Sequence, residues 1–560
     1  MSRSIVGTLL VAAVLALAGC PRQPVPPPAE AAKTKSPAAA TTRPTTRPTK
    51  INITIGKDTT YITGPVNADG TINYVAYINA KHSKGVTPQN NAAVLLARAI
   101  DPKCWDDDVA ARFFKLMGTL PPSAKGDYFV PLDEYIEQTD ANFRAIMPGS
   151  ETASEAAERL LDRTTARPWS ERDFPLVSRW LKANAKPLAL VESASKCSHI
   201  YLPLIPLDDP PQLVTAKMSS AIAFIGASRA LVVRAMLRSS QGRFGPAWAD
   251  LMAARRLARL ISRGIALLEA LIGMDIEHLA WEAGTELITG GTLSPAQGRK
   301  CLVQLKTLAP LPDIRHTIAY ERFACLDTVM MLARGHSLKD LRDMFTSLGG
   351  PTSKARPDAR RLDVDWDEAL RVCNAWYDRL HASLQIQDPR QRQQACRRFD
   401  DDVLELYTEL KAAGTIIGRL KFAARKAVAL PSERRKQTGR DIGRSLVSLM
   451  MPSIGSGYVD GHEEAPMRSR LLHVAVALAL QEAETGRFPA KLTELAPKHL
   501  KAVPTDRFSG KALVYKREGN RCVVYSVGEN LKDDGGINNR EDEDVERENE
   551  KDDIVIRFKR

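Results

Sequence analysis

Ala216 to Arg238 reads Ala-Lys-Met-Ser-Ser-Ala-Ile-Ala-Phe-Ile-Gly-Ala-Ser-Arg-Ala-Leu-Val-Val-Arg-Ala-Met-Leu-Arg. Its apolar residues recur three and four apart, which is the period of one buried helix face. The same spacing returns in Pro246 to Ser262, Ile265 to Ile288, Ser294 to Leu308 and Asp400 to Ala429. Ser294-Pro295 is a helix start, with a capping hydroxyl and a proline preset for the first turn, and Gly290-Gly291 stops the preceding helix. Residues 141–450 are therefore expected to form a helical array, and the chain is expected to be mainly α. Two polar breaks, Gly349-Gly350-Pro351 through Arg361 and Pro452 through Pro466, read as linkers.

Within the array stands Gly242-Arg-Phe244-Gly-Pro-Ala247-Trp-Ala-Asp-Leu251-Met-Ala-Ala254. Gly242 permits a tight turn, and Ala247 and Ala254 let two helices approach closely. The run resembles the second half of a tetratricopeptide repeat. No second copy follows at a 34-residue period, so stacked helical hairpins of a generic kind are expected, presenting an extended surface to partners.

The N-terminus points out of the cytoplasm. Arg3 precedes an uncharged apolar stretch from Ile5 to Ala18, too short to span a bilayer but suited to a secretory segment. Leu17-Ala18-Gly19-Cys20 follows and resembles the lipobox of bacterial lipoproteins, which implies a diacylglyceryl and acyl lipid on Cys20 and an anchor in a membrane. Position 21 is Pro, not the Asp of one known retention signal, which favours the outer membrane over the inner. Residues 21–50, with Pro26, Pro27, Pro28 and two Thr-Thr-Arg-Pro units, lack apolar periodicity and read as a disordered tether. Residues 51–140 read as a small strand-plus-helix region. Ile51 to Thr63 alternates like a strand, a helix is expected from Thr71 to Ser83, and Thr87-Pro88 is expected to open another.

The net charge is +13, but Glu529 to Asp553 holds twelve acids and four bases, so the rest of the chain carries +21. The basic residues are scattered among Leu and Ala as solvated helix faces, with no interleaved aromatics of a nucleic-acid motif, so nucleic acid is not expected as a partner. Seven cysteines follow Cys20. An odd number without regular spacing leaves at least one unpaired, and several are expected to be buried as small apolar groups.

The last hundred residues change character. A helix from Met467 to Gly486 leads into Gly486-Arg-Phe488-Pro489, Leu492 and Leu495. Then come Pro504-Thr-Asp506-Arg-Phe508-Ser-Gly510, Cys522-Val-Val-Tyr525-Ser526-Val-Gly528, Asp533-Asp534-Gly535-Gly536 and Asp552-Asp553-Ile554. In this order the run resembles the C-terminal domain of type II secretion major pseudopilins (G-type). The resemblance covers residues 467–560 and implies a helix on a small antiparallel sheet, an α+β unit. It also implies a calcium ion held in the acidic loop. Asn530 stands where the family has Asp, Asp553 matches the family's last Asp, and Asp533 and Asp534 lie nearby; these four are the expected metal residues. Asn530 removes a charge, and the inserted acidic stretch Glu541 to Asp552 departs from the family, so a solvated loop without metal stands as the alternative. The long apolar assembly helix of pseudopilins is missing. Asp58-Thr-Thr-Tyr-Ile-Thr-Gly-Pro65, with Gly85 to Ala92, also resembles large bacterial lipoproteins of this layout that have no assigned activity.

No hydrolase, zinc-protease, phosphate-loop or dinucleotide motif occurs. Asp363-Val-Asp365-Trp-Asp367-Glu368 opens like a calcium loop but has Glu368 where the turn needs Gly, so it reads as a helix N-terminus. His278 reads as a core or interface histidine, and His462-Glu463-Glu464 has no partner at metal spacing. No catalytic residue is identified. The expected function is a membrane-tethered, non-catalytic binding or scaffolding module with a protein partner in the cell envelope. The alternative is an envelope hydrolase whose acids are brought together only by folding.

Overall fold

The computed structural model describes residues 50–100, 107–123, 125–139, 142–216, 221–291, 293–313, 315–335, 363–412, 430–451, 456–539 and 551–558. Cys20, the tether, the 349–361 linker and most of the inserted acidic stretch lie outside them.

The described residues are mainly α, with seventeen helices and one small sheet. The first eight helices are short: α1 (Tyr74–His82), α2 (Ala92–Ala99), α3 (Asp107–Leu116), α4 (Leu132–Gln138), α5 (Phe143–Ile146), α6 (Ala153–Ala166), α7 (Pro175–Ala183) and α8 (Ala185–Ala194). Longer ones follow: α9 (Ala221–Ser240), α10 (Phe244–Ile261), α11 (Leu267–Gly290), α12 (Pro295–Lys306) and α13 (Arg315–Ala333). The last four are α14 (Trp366–Gln385), α15 (Pro389–Ala412), α16 (Pro431–Met450) and α17 (Ser456–Thr485). No described helix is long and apolar enough to cross a membrane.

Local chemistry sets the boundaries. Gly242 takes φ +70 in the turn between α9 and α10, and Ala247 and Ala254 are fully buried, so the hairpin closes as the small residues require. Ser294 Oγ accepts from Gln297 N (3.3 Å) while Ser294 N donates to Gln297 Oε1 (2.8 Å), a reciprocal cap that starts α12. Asp365 Oδ1 accepts from Glu368 N (3.1 Å) at the start of α14.

Three expectations are overturned. Residues 51–63 form turns, not a strand. Their threonines satisfy the backbone locally: Thr59 Oγ1 donates to Thr54 O (2.5 Å) and Thr60 Oγ1 to Ile62 O (2.8 Å). Thr87-Pro88 lies in a turn and α2 begins at Ala92, because Asn91 caps it by accepting from Ala93 N (3.1 Å). Asn91 is itself fixed from afar, donating to Tyr201 O (3.1 Å) and accepting from Tyr201 N (2.8 Å). Residues 456–466, expected as linker, are the first part of α17, with Pro466 inside the helix.

Two large hydrophobic clusters organise the interior. One joins α9, α10 and α11 to α12, α17 and the sheet. The other joins α1, α13, α14, α15 and α16. Within the first, Glu277 of α11 accepts from Arg255 Nε (3.1 Å) and Nη2 (2.7 Å) and from Arg259 Nη1 (2.5 Å) and Nη2 (3.1 Å), all three side chains buried. Arg255 Nη2 also reaches Ser469 of α17 (3.2 Å).

The sheet is antiparallel in the order β1 (Val514–Glu518), β2 (Arg521–Ser526), β3 (Ile554–Phe558). Cys522, Val524, Ile556 and Phe558 are buried on one face, as the period-two alternation dictates, and Phe558 meets Phe488 at 5.0 Å between ring centroids. Six cysteines are described, all free, and all but Cys197 are buried.

Candidate functional site

The acidic loop is built on the ends of β2 and β3. Asp506 is the pin beneath it: buried, it accepts from Phe508 N (2.9 Å), Ser526 Oγ (2.9 Å) and Val527 N (3.0 Å). The Pro-Thr-Asp and Tyr-Ser segments, far apart in sequence, thus meet at one carboxylate. Past Ser526 the chain turns at Gly528 (φ +63), where a Cβ would stand 2.3 Å from Asp552 O. Only glycine fits a left-handed turn at that approach. Leu531 also takes φ +64, which costs a residue with a side chain about 1–2 kcal/mol.

Asp534, Asp552 and Asp553 each bring a carboxylate oxygen within 4.8 Å of the other two. Asp552 Oδ2 accepts from Glu529 N (2.8 Å) and Asn530 N (2.9 Å). Asp553 Oδ2 accepts from Gly536 N (2.7 Å), while its Oδ1 is buried without a hydrogen-bond partner. Burial, then the charges of Asp534, Asp533 and Asp552, push the Asp553 carboxyl up to about 6. Three acids held this close favour a cation.

Of the four expected metal residues, the loop brings Asp534 and Asp553 together. Asn530 stands beside them and donates Nδ2 to Asp534 Oδ2 (2.8 Å). Asp533 turns away: its Oδ1 accepts from Tyr525 Oη (2.7 Å) and Gly535 N (3.0 Å), which hold it below the usual carboxylate range. Asp552 is the member that sequence reasoning left out. In sequence it reads as the end of an inserted acidic stretch, and its adjacency to Asp553 is the one signal that sets it apart.

A calcium ion fits this donor set. With bonds of about 2.3–2.6 Å, two oxygens on one ion lie at most about 5 Å apart, so one ion is able to touch all three carboxylates. Asp553 Oδ1 supplies the orphaned buried oxygen that such an ion satisfies.

A second feature is a cavity of about 570 Å³ where α12, α14, α15 and α17 converge with residues 308–313, Arg315 of α13 and Arg507. Its lining is cationic, and its two carboxylates are already engaged. Glu463 of α17 accepts from Arg392 (2.6 Å) and Arg507 (2.6 Å). Burial acts to raise its carboxyl, and Arg507 and Arg392 hold it below the usual range. Asp313, paired with Arg315, is drawn down to about 2. His462 Nε2 lies 2.9 Å from Pro312 O. His278 lies elsewhere, stacked on Trp281 at 6.2 Å with Nε2 3.3 Å from Glu282.

Comparison with protein-family models, with curated proteins and with solved structures returns no match to this chain.

Proposed function

We propose that this chain is an exported lipoprotein, anchored through lipid on Cys20, that serves as a non-catalytic binding or scaffolding platform in the cell envelope. Its C-terminal unit is a pseudopilin-like head whose acidic loop is ordered by calcium. The lipid would enter the outer membrane, and the helical body would meet a protein partner.

One observation carries the preference for binding over hydrolysis. An acid–base hydrolase needs a cavity carboxylate raised towards neutrality. Here Glu463 and Asp313 are locked to arginines and ionised. The acids that burial raises to about 7, Glu269, Glu321 and Asp327, cap backbone amides in the interior. Glu269 accepts from Ile265 and Ala266, Glu321 from Leu267 (3.1 Å), and Asp327 from Leu213 (2.6 Å).

The head reading draws on the ordered motifs, the antiparallel sheet and the three-carboxylate site. Calcium would supply charge neutralisation there. Asp534, Asp552 and Asp553 would hold it, while Glu529 and Asn530 amides fix Asp552.

The test uses the full chain expressed in a bacterium. Labelled palmitate should enter the protein and be lost, with release from membranes, in Cys20→Ser. Thermal melts of the same protein should rise with micromolar to millimolar calcium and fall in EDTA. Unlabelled protein, or melts indifferent to calcium, would remove the anchor or the metal respectively. Release of soluble fragments from isolated envelope polymer would favour the hydrolase.

A further inference from the structure

The charge around the 570 Å³ cavity does not balance. Six cations line it: Arg259, Lys306, Arg315, Arg392, Arg470 and Arg507. Arg255 stands behind Arg259, sharing Glu277 with it. Against these seven stand four carboxylates, Glu277, Asp313, Glu463 and Asp506, the last acting on Arg470, which leaves three positive charges. Among the described residues, Lys306 and Arg470 make no ion pair. Arg470 Nη1 donates to Thr505 O (3.1 Å), a neutral acceptor.

The mutual repulsion is visible in neighbouring groups. Burial and then Arg507 hold Arg470 below its ordinary value, against the raising effect of Asp506. Burial, with Arg255, Lys306 and Arg259, holds His473 down against the raising effect of the Ser469 carbonyl. A neutral His473 with Nδ1 donating to Ser469 O (2.8 Å) carries no charge to oppose. Folding has assembled a field that a dianion relieves.

The walls are not only cationic. Leu305, Leu308, Leu311, Leu384 and Ile386 line the same cavity, and the volume falls in the range of sites for ligands much larger than a bare oxyanion. Guanidinium forks suit phosphate oxygens, which they bind in pairs with charge-assisted hydrogen bonds.

We propose that this cavity binds a phosphomonoester, its phosphate against Lys306, Arg470 and Arg507 and its carbon portion towards Leu305, Leu308 and Ile386. The phosphate belongs either to a phospholipid headgroup or to a soluble phosphomonoester. Neither the acidic loop nor Cys20 contributes a residue to this site.

The experiment is calorimetric titration of the full chain with three probes. They are dihexanoyl phosphatidic acid below its micelle concentration, glucose 6-phosphate, and dihexanoyl phosphatidylcholine. Saturable binding of one phosphatidic acid or one sugar phosphate per chain, with no binding of the zwitterionic lipid, is expected. The tighter of the two anionic probes names the source. Lys306 is exposed and Arg470 half-buried, so the double variant Lys306→Gln/Arg470→Gln should melt like the parent and bind at least tenfold more weakly. Arg470→Lys, which keeps the charge and loses the fork, should fall between. Raising salt from 0.05 to 0.5 M should weaken the parent's binding severalfold. Absence of saturable heat from both anionic probes at millimolar concentration overturns the proposal. So does equal binding of phosphatidylcholine, or binding that neither variant alters.

Discussion

Glu277→Gln should be among the most destabilising single substitutions in the helical body. Glu277 is buried with two arginines, and its two oxygens take all four hydrogen bonds between them, at 2.5–3.1 Å. Burial works to raise its carboxyl, and Arg255 and Arg259 outweigh burial, so it stays ionised. The amide keeps the shape but removes the negative charge that pairs with two buried guanidiniums. Losing one partner of a buried ionic group costs about 3–5 kcal/mol, because the remaining charge has neither water nor a counterion. Urea unfolding at pH 7, followed by far-ultraviolet circular dichroism, reads that loss. A cost below about 1 kcal/mol would refute the reasoning, since it would mean that the arginines find other partners without strain. The triple replacement Arg255→Met/Glu277→Leu/Arg259→Met should recover most of the loss, because apolar substitutes for a buried ionic cluster are often neutral. Its shortfall should reflect Ala309 O, which loses the Arg259 Nε donor (2.7 Å). The sign with pH follows from a depressed carboxyl: Glu277 stabilises above its unfolded value near 4.5 and ceases to as pH falls through its folded value. Glu277→Gln should therefore flatten the acid limb.

Glu269, Glu321 and Asp327 behave oppositely. Their contribution is full below 4.5, 4.5 and 3.8 respectively and is lost as pH rises through about 7. Unfolding free energies from urea titration should be higher at pH 5 than at pH 8, by at most about 3 kcal/mol per group, and Glu269→Gln should narrow the gap; an unchanged gap refutes it. Asp553, raised to about 6, must lose its proton to bind metal, so the calcium-induced rise in melting temperature should be larger at pH 7.5 than at pH 5. Asp553→Asn should abolish that rise at both pH values, whereas Asp533→Asn should preserve it because Asp533 bonds Tyr525. Gly528→Ala, which puts a Cβ 2.3 Å from Asp552 O, should weaken calcium binding at least tenfold in titration while leaving the helical signal unchanged.

What was legible in the sequence was what local chemistry alone decides. The period of α9 to α12, the Ser294 cap, the Gly290-Gly291 stop and the Asp365 start each rest on residues within one turn of one another. What was missed rests on distant partners. Residues 51–63 alternate like a strand, yet Thr54 N donates to Asp367 Oδ1 (2.8 Å) and Asn374 Nδ2 reaches Asp58 O (3.1 Å) and Thr59 O (2.6 Å). The segment is fastened to α14 instead of pairing with another strand. Gly461 lies in the stretch that reads as a linker, but α17 runs through it beside α11, where a Cβ would meet the flexible end of Met274 (2.5 Å from Cε). The cavity's cations come from α10, α12, α13, α15, α17 and the loop at 507, and no sequence window contains them together. Asp552 is adjacent to Asp553 in sequence, but it also ends a run of inserted acids, and composition alone does not set it apart from them.

The continuity of α17 changes how the C-terminal unit must be studied. Leu471, Leu472, Val476 and Leu480 are buried, and Gly298 of α12 admits Leu480 where a Cβ would stand 3.0 Å from it. Cutting before residue 467 would strip that helix of the faces of α11 and α12 that cover it, so a calcium response is meaningful only on the full chain. The same helix carries Glu463 in the cavity wall. The acidic loop reaches that wall by a second route: Glu529, whose amide holds Asp552, accepts from Gln393 of α15 (2.7 Å), and Gln393 is the neighbour of Arg392, which pairs with Glu463. An ion in the loop and an anion in the cavity therefore bear on the same two helices, α15 and α17. Whatever effect one has on the affinity for the other must be returned in equal measure, because coupling free energy between two sites is reciprocal.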